Sequence, residues 1–248
     1  MPFKKEPRKQ ETTQPPPDEQ QTMSFWDHLE DLRGRLLKAS LGLVFTTLAS
    51  TLLASRLMIL LAEPIGGLEN LQSIEVTENI TVFMRVALLS GFILALPYTL
   101  YQLMAFVSPG LKPKERKWVF LSIPFATLLF LGGVLFAYYI MLPAAVPFLV
   151  SFMGVQTIPR LSNYMKFILN ILFWIGVCFE IPLVAFILAK LKLINARQML
   201  RHWRVAVIAS AVLAAVISPT VDPVNMLILM APLIGLYGLS ILLTLLAR

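Results

Sequence analysis

The sequence predicts an all-α membrane protein with six transmembrane helices, both termini on one side of the membrane and the last two helices short. Hydrophobic residues make up 57% of the 248-residue chain and charged residues only 14%, whereas soluble domains carry about 25% charged residues. The mean hydropathy is +0.75. The charges cluster between long apolar runs. This pattern favours a membrane protein over the alternative, a soluble all-α protein.

The first 22 residues predict a disordered cytoplasmic tail, because they are polar, contain three consecutive prolines (Pro15–Pro17) and lack the apolar segment of a signal peptide. The predicted membrane domain covers residues 23–248. It opens with an amphipathic interfacial helix, because apolar residues recur at helical spacing at Phe25, Leu29, Leu32 and Leu36. This helix leads into the first span.

Six apolar runs predict the spans, since a helix needs about 20 apolar residues to cross the hydrocarbon core. The runs cover residues 39–62, 86–111, 119–142, 167–189, 205–218 and 224–247. The fifth run has only 14 residues, and Pro232, Gly235 and Gly238 interrupt the sixth. We therefore expect the last two helices to be short for the bilayer.

Basic residues predict the orientation. Of the 21 Lys and Arg residues, 17 lie in the N-terminal region, in the connections after the second and fourth spans, or at the C-terminus. The other four are Arg56, Arg85, Arg160 and Lys166. Because cytoplasmic loops carry the excess of basic residues, both termini are predicted to lie in the cytoplasm, at the inner (plasma) membrane. The net charge of +7 then reflects topology and attraction to anionic membrane lipid, not binding to nucleic acid.

Residues that carry enzyme chemistry are scarce. The chain has two histidines, His28 and His202, and one cysteine, Cys178, without the spacing of metal ligands. No glycine-rich phosphate loop follows a strand, and no nucleophile has an evident base. The sequence therefore predicts no enzyme activity, no metal and no cofactor.

Glu180 is the only charged residue in the 23-residue run Phe167–Ala189. A carboxylate at that depth costs about 2.5–3.5 kcal/mol on insertion scales, so it normally faces a cavity or a partner. The alternative is a structural hydrogen bond inside the bundle. Glu180 is thus the candidate intramembrane partner site, and Gln102 is a second polar residue within a span.

The segment His28–Leu36 reads HLEDLRGRL and resembles the HLxELRxRL signature of the TatC family, the multi-span subunit of the twin-arginine (Sec-independent) protein translocase. Asp31 stands where the signature usually has Glu. Other family-like residues follow in order: Pro64, Leu96-Pro97, Tyr101-Gln102, Ala105–Leu111, Glu115-Arg116, Phe136–Tyr138, Pro143, Phe179–Pro182, Ser218-Pro219 and Asp222. One departure is Gly238, where many members have an acid.

The resemblance implies a receptor for twin-arginine signal peptides of folded proteins at the cytoplasmic face. It also implies assembly with single-span TatA and TatB subunits and with further copies of the chain, and export driven by the proton-motive force. Two consecutive arginines need carboxylates, and Asp31 and Glu115 are acids at matching positions on a basic surface. The predicted peptide site consists of Asp31, Glu115, Phe106, Arg33 and Leu36.

Simpler interpretations remain for these residues. Asp31 has the spacing to pair with Arg35 on its own helix, Glu115 has four basic neighbours, and Phe106 fits ordinary interfacial packing. Two other function classes also remain. A proton-coupled transporter with Glu180 as carrier predicts polar residues from several spans meeting at that point, and a structural scaffold needs no acids on a basic face.

Overall fold

The computed structural model describes residues 25–151, 158–218 and 223–246; the predicted tail, residues 1–22, lies outside this range. The described residues are helical and contain no strand, only one isolated parallel bridge between Gln72 and Arg160. The helices are α1 (Phe25–Ala62), α2 (Glu78–Val107), α3 (Pro113–Phe136), α4 (Leu142–Val150), α5 (Leu161–Phe179), α6 (Ile181–Lys190), α7 (Ala196–Arg201), α8 (Trp203–Ile217) and α9 (Pro223–Leu246). A π-helical turn, Ala137–Met141, joins α3 to α4.

The predicted all-α architecture with six passes is confirmed. Five segments are long and apolar enough to cross a membrane, namely α1, α2, α3 with α4, α5 with α6, and α9, while α8 is a shorter apolar helix. The 15 residues of α8 span about 22 Å, against a hydrocarbon core of about 30 Å. The fifth pass is therefore short, as expected.

The sixth pass is not short, which corrects the prediction for that helix. Helix α9 has 24 residues and stays helical through Pro232. A proline inside a helix removes one backbone hydrogen bond and its ring crowds the carbonyl four residues earlier, but α9 packs along both α6 and α8. Packing of this kind allows transmembrane helices to tolerate proline and glycine.

Several helices extend past the apolar runs of the sequence. Helix α2 begins at Glu78, the third pass continues to Val150, and α5 begins at Leu161. A charge-free run marks only the part of a helix in hydrocarbon, whereas capping and packing determine where the helix ends. The fourth pass is interrupted at Glu180, between α5 and α6, because Pro182 has no N–H to continue the ladder of hydrogen bonds.

Helix α5 is the centre of the bundle. In the most apolar window of α5 with α6, 44% of the residues are buried, against 11% in α1. The helices at the periphery expose large apolar side chains, including Phe45 and Leu52 of α1, which are 75% and 83% exposed. An apolar exterior on this scale suits contact with lipid and is rare on soluble monomers.

Helices α1 and α2 pack antiparallel and very closely. Thr46 Oγ1 donates to the carbonyl of Gly91 at 2.8 Å, and Ser50 Oγ donates to the carbonyl of Ala87. A Cβ atom at position 91 would lie 2.5 Å from the Cα of Thr47, which is backbone and cannot move aside. Glycine is therefore required at Gly91 for this approach.

The bundle has two distinct ends. The basic end consists of the start of α1, the connection between α2 and α3, and the connection from α6 to α8, where most of the described basic residues lie. The opposite end consists of the α1–α2 connection and the part of the α4–α5 connection that the structure describes. A contact between Lys190 Nζ and the ring of Trp118, 5.2 Å from its centroid, brings α6 beside α3 at the basic end.

Candidate peptide-binding and partner-binding sites

Three of the residues predicted to bind a signal peptide, Asp31, Phe106 and Glu115, lie at the basic end. The ring of His28, in the first turns of α1, stacks on the ring of Phe106, near the end of α2, with centroids 4.3 Å apart and an angle of 17° between the rings. The short connection Ser108–Lys112 then leads to Glu115 in the first turn of α3. Asp31 lies one turn after His28 on α1.

Asp31 forms the local ion pair that its spacing predicts. Arg35 Nε donates to Asp31 Oδ2 at 2.8 Å, and the two side chains are 27% and 28% exposed. Ion pairs at i, i+4 on an exposed helix face contribute about 0.3–0.5 kcal/mol, and this pair is only partly exposed. Arg33 and Leu36, the other predicted site residues on this helix, are exposed.

Glu115 caps α3 instead of pairing with the basic residues around it. Its Oε2 accepts the backbone N–H of Lys112 at 3.0 Å, and among the side chains that the structure describes it forms no ion pair. The carboxylate borders a groove of about 160 Å³ between α3 and α6. Trp118 and Phe186 form its aromatic walls, and Lys190 Nζ lies over both rings.

Glu180 has a buried oxygen without a partner. Its side chain is half-buried at the break between α5 and α6, and Oε1 accepts no hydrogen bond from any residue that the structure describes. The alternative of a structural hydrogen bond inside the bundle is therefore not realised for this atom. Gln102 is buried in α2, but the structure forms no hydrogen bond between Gln102 and Glu180. A proton-coupled transporter would bring polar side chains of several spans to Glu180. No side chain that the structure describes forms a hydrogen bond with the Glu180 carboxyl group.

The family-like residues Pro64 and Tyr138 meet at the opposite end. Pro64 lies in the 3-10 turn Glu63–Ile65 that follows α1. The Tyr138 hydroxyl, from the π-helical turn, donates to the carbonyl of Leu60 at 2.9 Å and to Glu63 Oε2 at 3.0 Å. These bonds attach the third pass to the end of α1. Asp222, another family-like position, lies outside the described residues.

A buried acid, Glu78, organises the opposite end, and the sequence does not single it out. Its side chain is 1% exposed. Its carboxylate accepts backbone N–H groups from Ile74 at 2.9 Å, from Glu75 at 3.3 Å and from Ser162 at 2.6 Å. Arg160 Nε lies 3.1 and 3.2 Å from the two carboxylate oxygens.

Arg160 joins the two connections at this end. It also forms an ion pair with Glu75, at 2.6 Å, and its hydrogen bonds to Glu75 and Glu78 raise its pKa. The backbone bridge between Gln72 and Arg160 runs beside these pairs. An acid in the first turn of a helix is a detectable sequence signal, but its pairing with a residue 82 positions away is not.

Within the described residues, no group of three or more His, Cys, Asp or Glu side chains is arranged to hold a metal ion. Cys178 is buried and free.

Comparisons with known proteins agree with this architecture. The family model described as "Sec-independent protein translocase protein (TatC)" matches residues 27–232. The chain is 34% identical over 247 residues to the Sec-independent protein translocase protein TatC of Deinococcus radiodurans, covering 96% of this chain and 92% of that protein. It is 34% identical to TatC of Carboxydothermus hydrogenoformans, covering 90% and 93% of the two chains.

Solved structures show the same fold. The chain superposes with a TM-score of 0.76 and 29% identity on a crystal structure of the twin-arginine translocase receptor TatC, covering 89% of this chain and 99% of that one. A second crystal structure of that receptor, in DDM, gives a TM-score of 0.78. These relatives are multi-pass translocase subunits, a family of membrane proteins without enzyme activity. On its sequence, its helical bundle and the order of its motifs, this chain belongs to the TatC family of Sec-independent protein translocase proteins.

Proposed function

We propose that this chain is the subunit of a twin-arginine translocation system that binds the twin-arginine signal peptides of folded cargo proteins. The basic end faces the cytoplasm at the inner membrane, and both termini lie there. Single-span TatA-type and TatB-type subunits and further copies of the chain assemble with it, and the proton-motive force drives export. Membership of the TatC family supports this proposal.

The observation that carries the proposal is the pair of acids at the basic end. Asp31 pairs with a partly buried arginine on its own helix, and Glu115 uses one oxygen for a helix cap. Both carboxylates therefore retain acceptor capacity for guanidinium groups, which bind carboxylates through two parallel hydrogen bonds. In this proposal the two acids bind the two arginines of the signal peptide.

The remaining predicted residues serve the rest of the peptide. Phe106 and the exposed Leu36 offer apolar contacts for the apolar segment that follows the arginines. The groove beside Glu115, with its aromatic walls, offers a further apolar surface between α3 and α6. Arg33, exposed on the same part of α1 as Asp31, completes the proposed site.

Charge reversal tests the peptide site. Replacing both acids, Asp31→Lys with Glu115→Lys, should lower crosslinking to a twin-arginine peptide by at least about 100-fold, because two charge-assisted sets of hydrogen bonds are lost. Membrane insertion should be unchanged. A twin-lysine peptide should crosslink weakly to the wild type, because lysine lacks the planar fork of arginine.

A matched control carries the same change in charge elsewhere. Glu30→Lys with Glu69→Lys alters two exposed acids, one beside Asp31 on a different face of α1 and one at the opposite end. This control should retain most crosslinking. Wild-type crosslinking by the Asp31 and Glu115 double variant would refute the proposed site.

Glu180 is the proposed point of contact with the single span of a partner subunit. A buried oxygen without a hydrogen bond inside a bilayer protein is unfavourable, so a polar group from a partner helix is expected to satisfy it. The fourth pass is broken at this depth, between α5 and α6, beside Pro182. Gln102, buried in another helix, is the second polar residue of this proposed intramembrane surface.

Two substitutions at Glu180 separate these roles. Glu180→Gln keeps the shape and the hydrogen-bonding capacity and should retain most assembly. Glu180→Leu should weaken recruitment of the partner span by roughly 3- to 30-fold, the range expected for one interhelical hydrogen bond, and should impair transport. Peptide crosslinking should be unaffected. Normal transport by the Leu variant would make Glu180 merely structural, and loss of peptide binding as well would indicate a disrupted bundle.

A further inference from the structure

A groove between α1, α2 and α5 contains two of the four basic residues outside the basic regions of the chain. Arg85 of α2 and Lys166 of α5 both line it, at the half of the molecule nearer the opposite end, and its volume is about 460 Å³. Both side chains are exposed. Two basic residues that line one groove favour an anionic ligand shared by both.

Neither basic residue is neutralised by an acid that the structure describes. The other two basic residues outside the basic regions differ from this pair. Arg160 pairs with Glu75 and Glu78, and Arg56 does not line the groove. Among the described side chains, no acid forms an ion pair with Arg85 or Lys166. The groove therefore has a positive entrance.

The level of the two bases matches that of a lipid headgroup. Arg85 immediately precedes the uncharged run that starts at Val86, and Lys166 immediately precedes the run that starts at Phe167. Both helices start at the opposite end, and the two residues lie about 10 Å and 8 Å along them from Glu78 and Leu161. Both charges thus border the hydrocarbon region on the same side.

The rest of the groove is suited to an acyl chain. Below the two bases its walls are apolar, formed by Leu88 and Phe92 of α2, Leu169 and Phe173 of α5, and Leu43 of α1. From Arg85 to Phe92 the groove descends about 10 Å along α2. Asn170, one turn below Lys166, also lines the groove, at the level where an ester group would follow a phosphate.

We propose that this groove binds an anionic phospholipid of the outer leaflet, with its phosphate between Arg85 and Lys166 and one acyl chain along Leu88, Phe92 and Phe173. A lipid accounts for the combination of a charged entrance at the interface and an apolar interior directed along the membrane normal. The bound lipid links the outer parts of α2 and α5. This inference is independent of the proposed peptide and partner sites.

Native mass spectrometry of the purified, delipidated full-length protein tests the proposal with phosphatidylglycerol and phosphatidylcholine as probes. The wild type should retain one phosphatidylglycerol and should prefer it to phosphatidylcholine. Arg85→Gln with Lys166→Gln should weaken retention of phosphatidylglycerol by roughly tenfold or more, as expected for two basic residues at an anionic lipid surface. The control, Lys38→Gln with Arg56→Gln, changes two exposed bases outside the groove and should behave as the wild type.

A second variant tests the apolar part without a change in charge. Leu88 is 53% exposed, so Leu88→Trp should fill the groove without disturbing the core and should also reduce lipid retention. Wild-type retention by the Gln double variant, or equal retention of the two lipids, would overturn the proposal. Protection of Leu88→Cys from a maleimide by a single-span partner, with no effect of phosphatidylglycerol, would overturn it in favour of a partner helix.

Discussion

At the scale of single residues, Glu78 and Glu180 differ in whether their buried carboxyl groups have hydrogen-bond partners. Glu78 accepts three backbone N–H groups and the guanidinium of Arg160, so its charge is fully compensated. Glu180 keeps a buried oxygen with no partner among the described residues. Removing a compensated buried acid is destabilising, whereas an uncompensated one needs an explanation, for which we propose the partner contact.

Glu78 and Glu75 give a sharp comparison, because both pair with Arg160 but only Glu78 is buried. Glu78→Ala should lower the melting temperature in detergent by roughly 5–10 °C, since it leaves three N–H groups without their acceptor and Arg160 with Glu75 alone. Glu75→Ala should lower it by less than about 2 °C, because its side chain is 63% exposed. Thermal unfolding followed by fluorescence measures both, and equal shifts would contradict the assigned role of Glu78.

At the scale of elements, α1 and α2 approach each other closely. Threonine and serine hydroxyls of α1 bond to carbonyls of α2, and Gly91 lets the two backbones approach. Small residues and hydroxyl groups are the usual means of helix association in lipid, where the hydrophobic effect gives no attraction between helices. This pair carries Asp31 and Phe106, so its packing positions part of the proposed peptide site.

Gly91→Ala tests this contact, and Gly132→Ala in α3 is its control. At Gly132 a new Cβ would meet nothing within 4 Å, so alanine should leave the melting temperature unchanged or raise it slightly through its better helix propensity. At Gly91 the new methyl group would clash with the backbone of Thr47 and should lower the melting temperature. The same sign of shift in both variants would contradict the close approach.

At the scale of the whole molecule, the described passes and the distribution of basic residues together determine the expected orientation. The basic end gathers the start of α1, the α2–α3 connection and the α6–α8 connection. The opposite end instead carries Glu63, Glu69, Glu75 and Glu78 on its first connection. This asymmetry predicts an orientation with the basic end in the cytoplasm.

Reporter fusions test this orientation. Fusions after Leu68 and after Arg160 should report the outer side, and fusions after Lys114, Ala196 and Arg248 should report the cytoplasm. One reporter that is active on only one side of the membrane is fused after every site. Its activity at the five sites can then be compared directly. A cytoplasmic signal from the fusion after Leu68 would reverse the assignment.

Most of the architecture was determined by the sequence alone. Hydropathy is a local property, so the runs around Ala39–Ala62 and Phe167–Ala189 indicate spans without knowledge of their neighbours. The same holds for the order of family motifs from His28 onwards, and for the pairing of Asp31 with Arg35, which is one turn away on the same helix. Each of these depends on residues close together in the chain.

Only the tertiary structure decided the rest. The first residues of α2 and α5, Glu78 and Leu161, depend on hydrogen bonds between two connections. Glu78 also contacts Arg160, which is 82 positions away in the sequence. The groove at Arg85 and Lys166 exists only because α2 and α5 lie side by side with their charged ends level. Contacts between distant segments depend on how the helices pack, and hydropathy does not encode this packing.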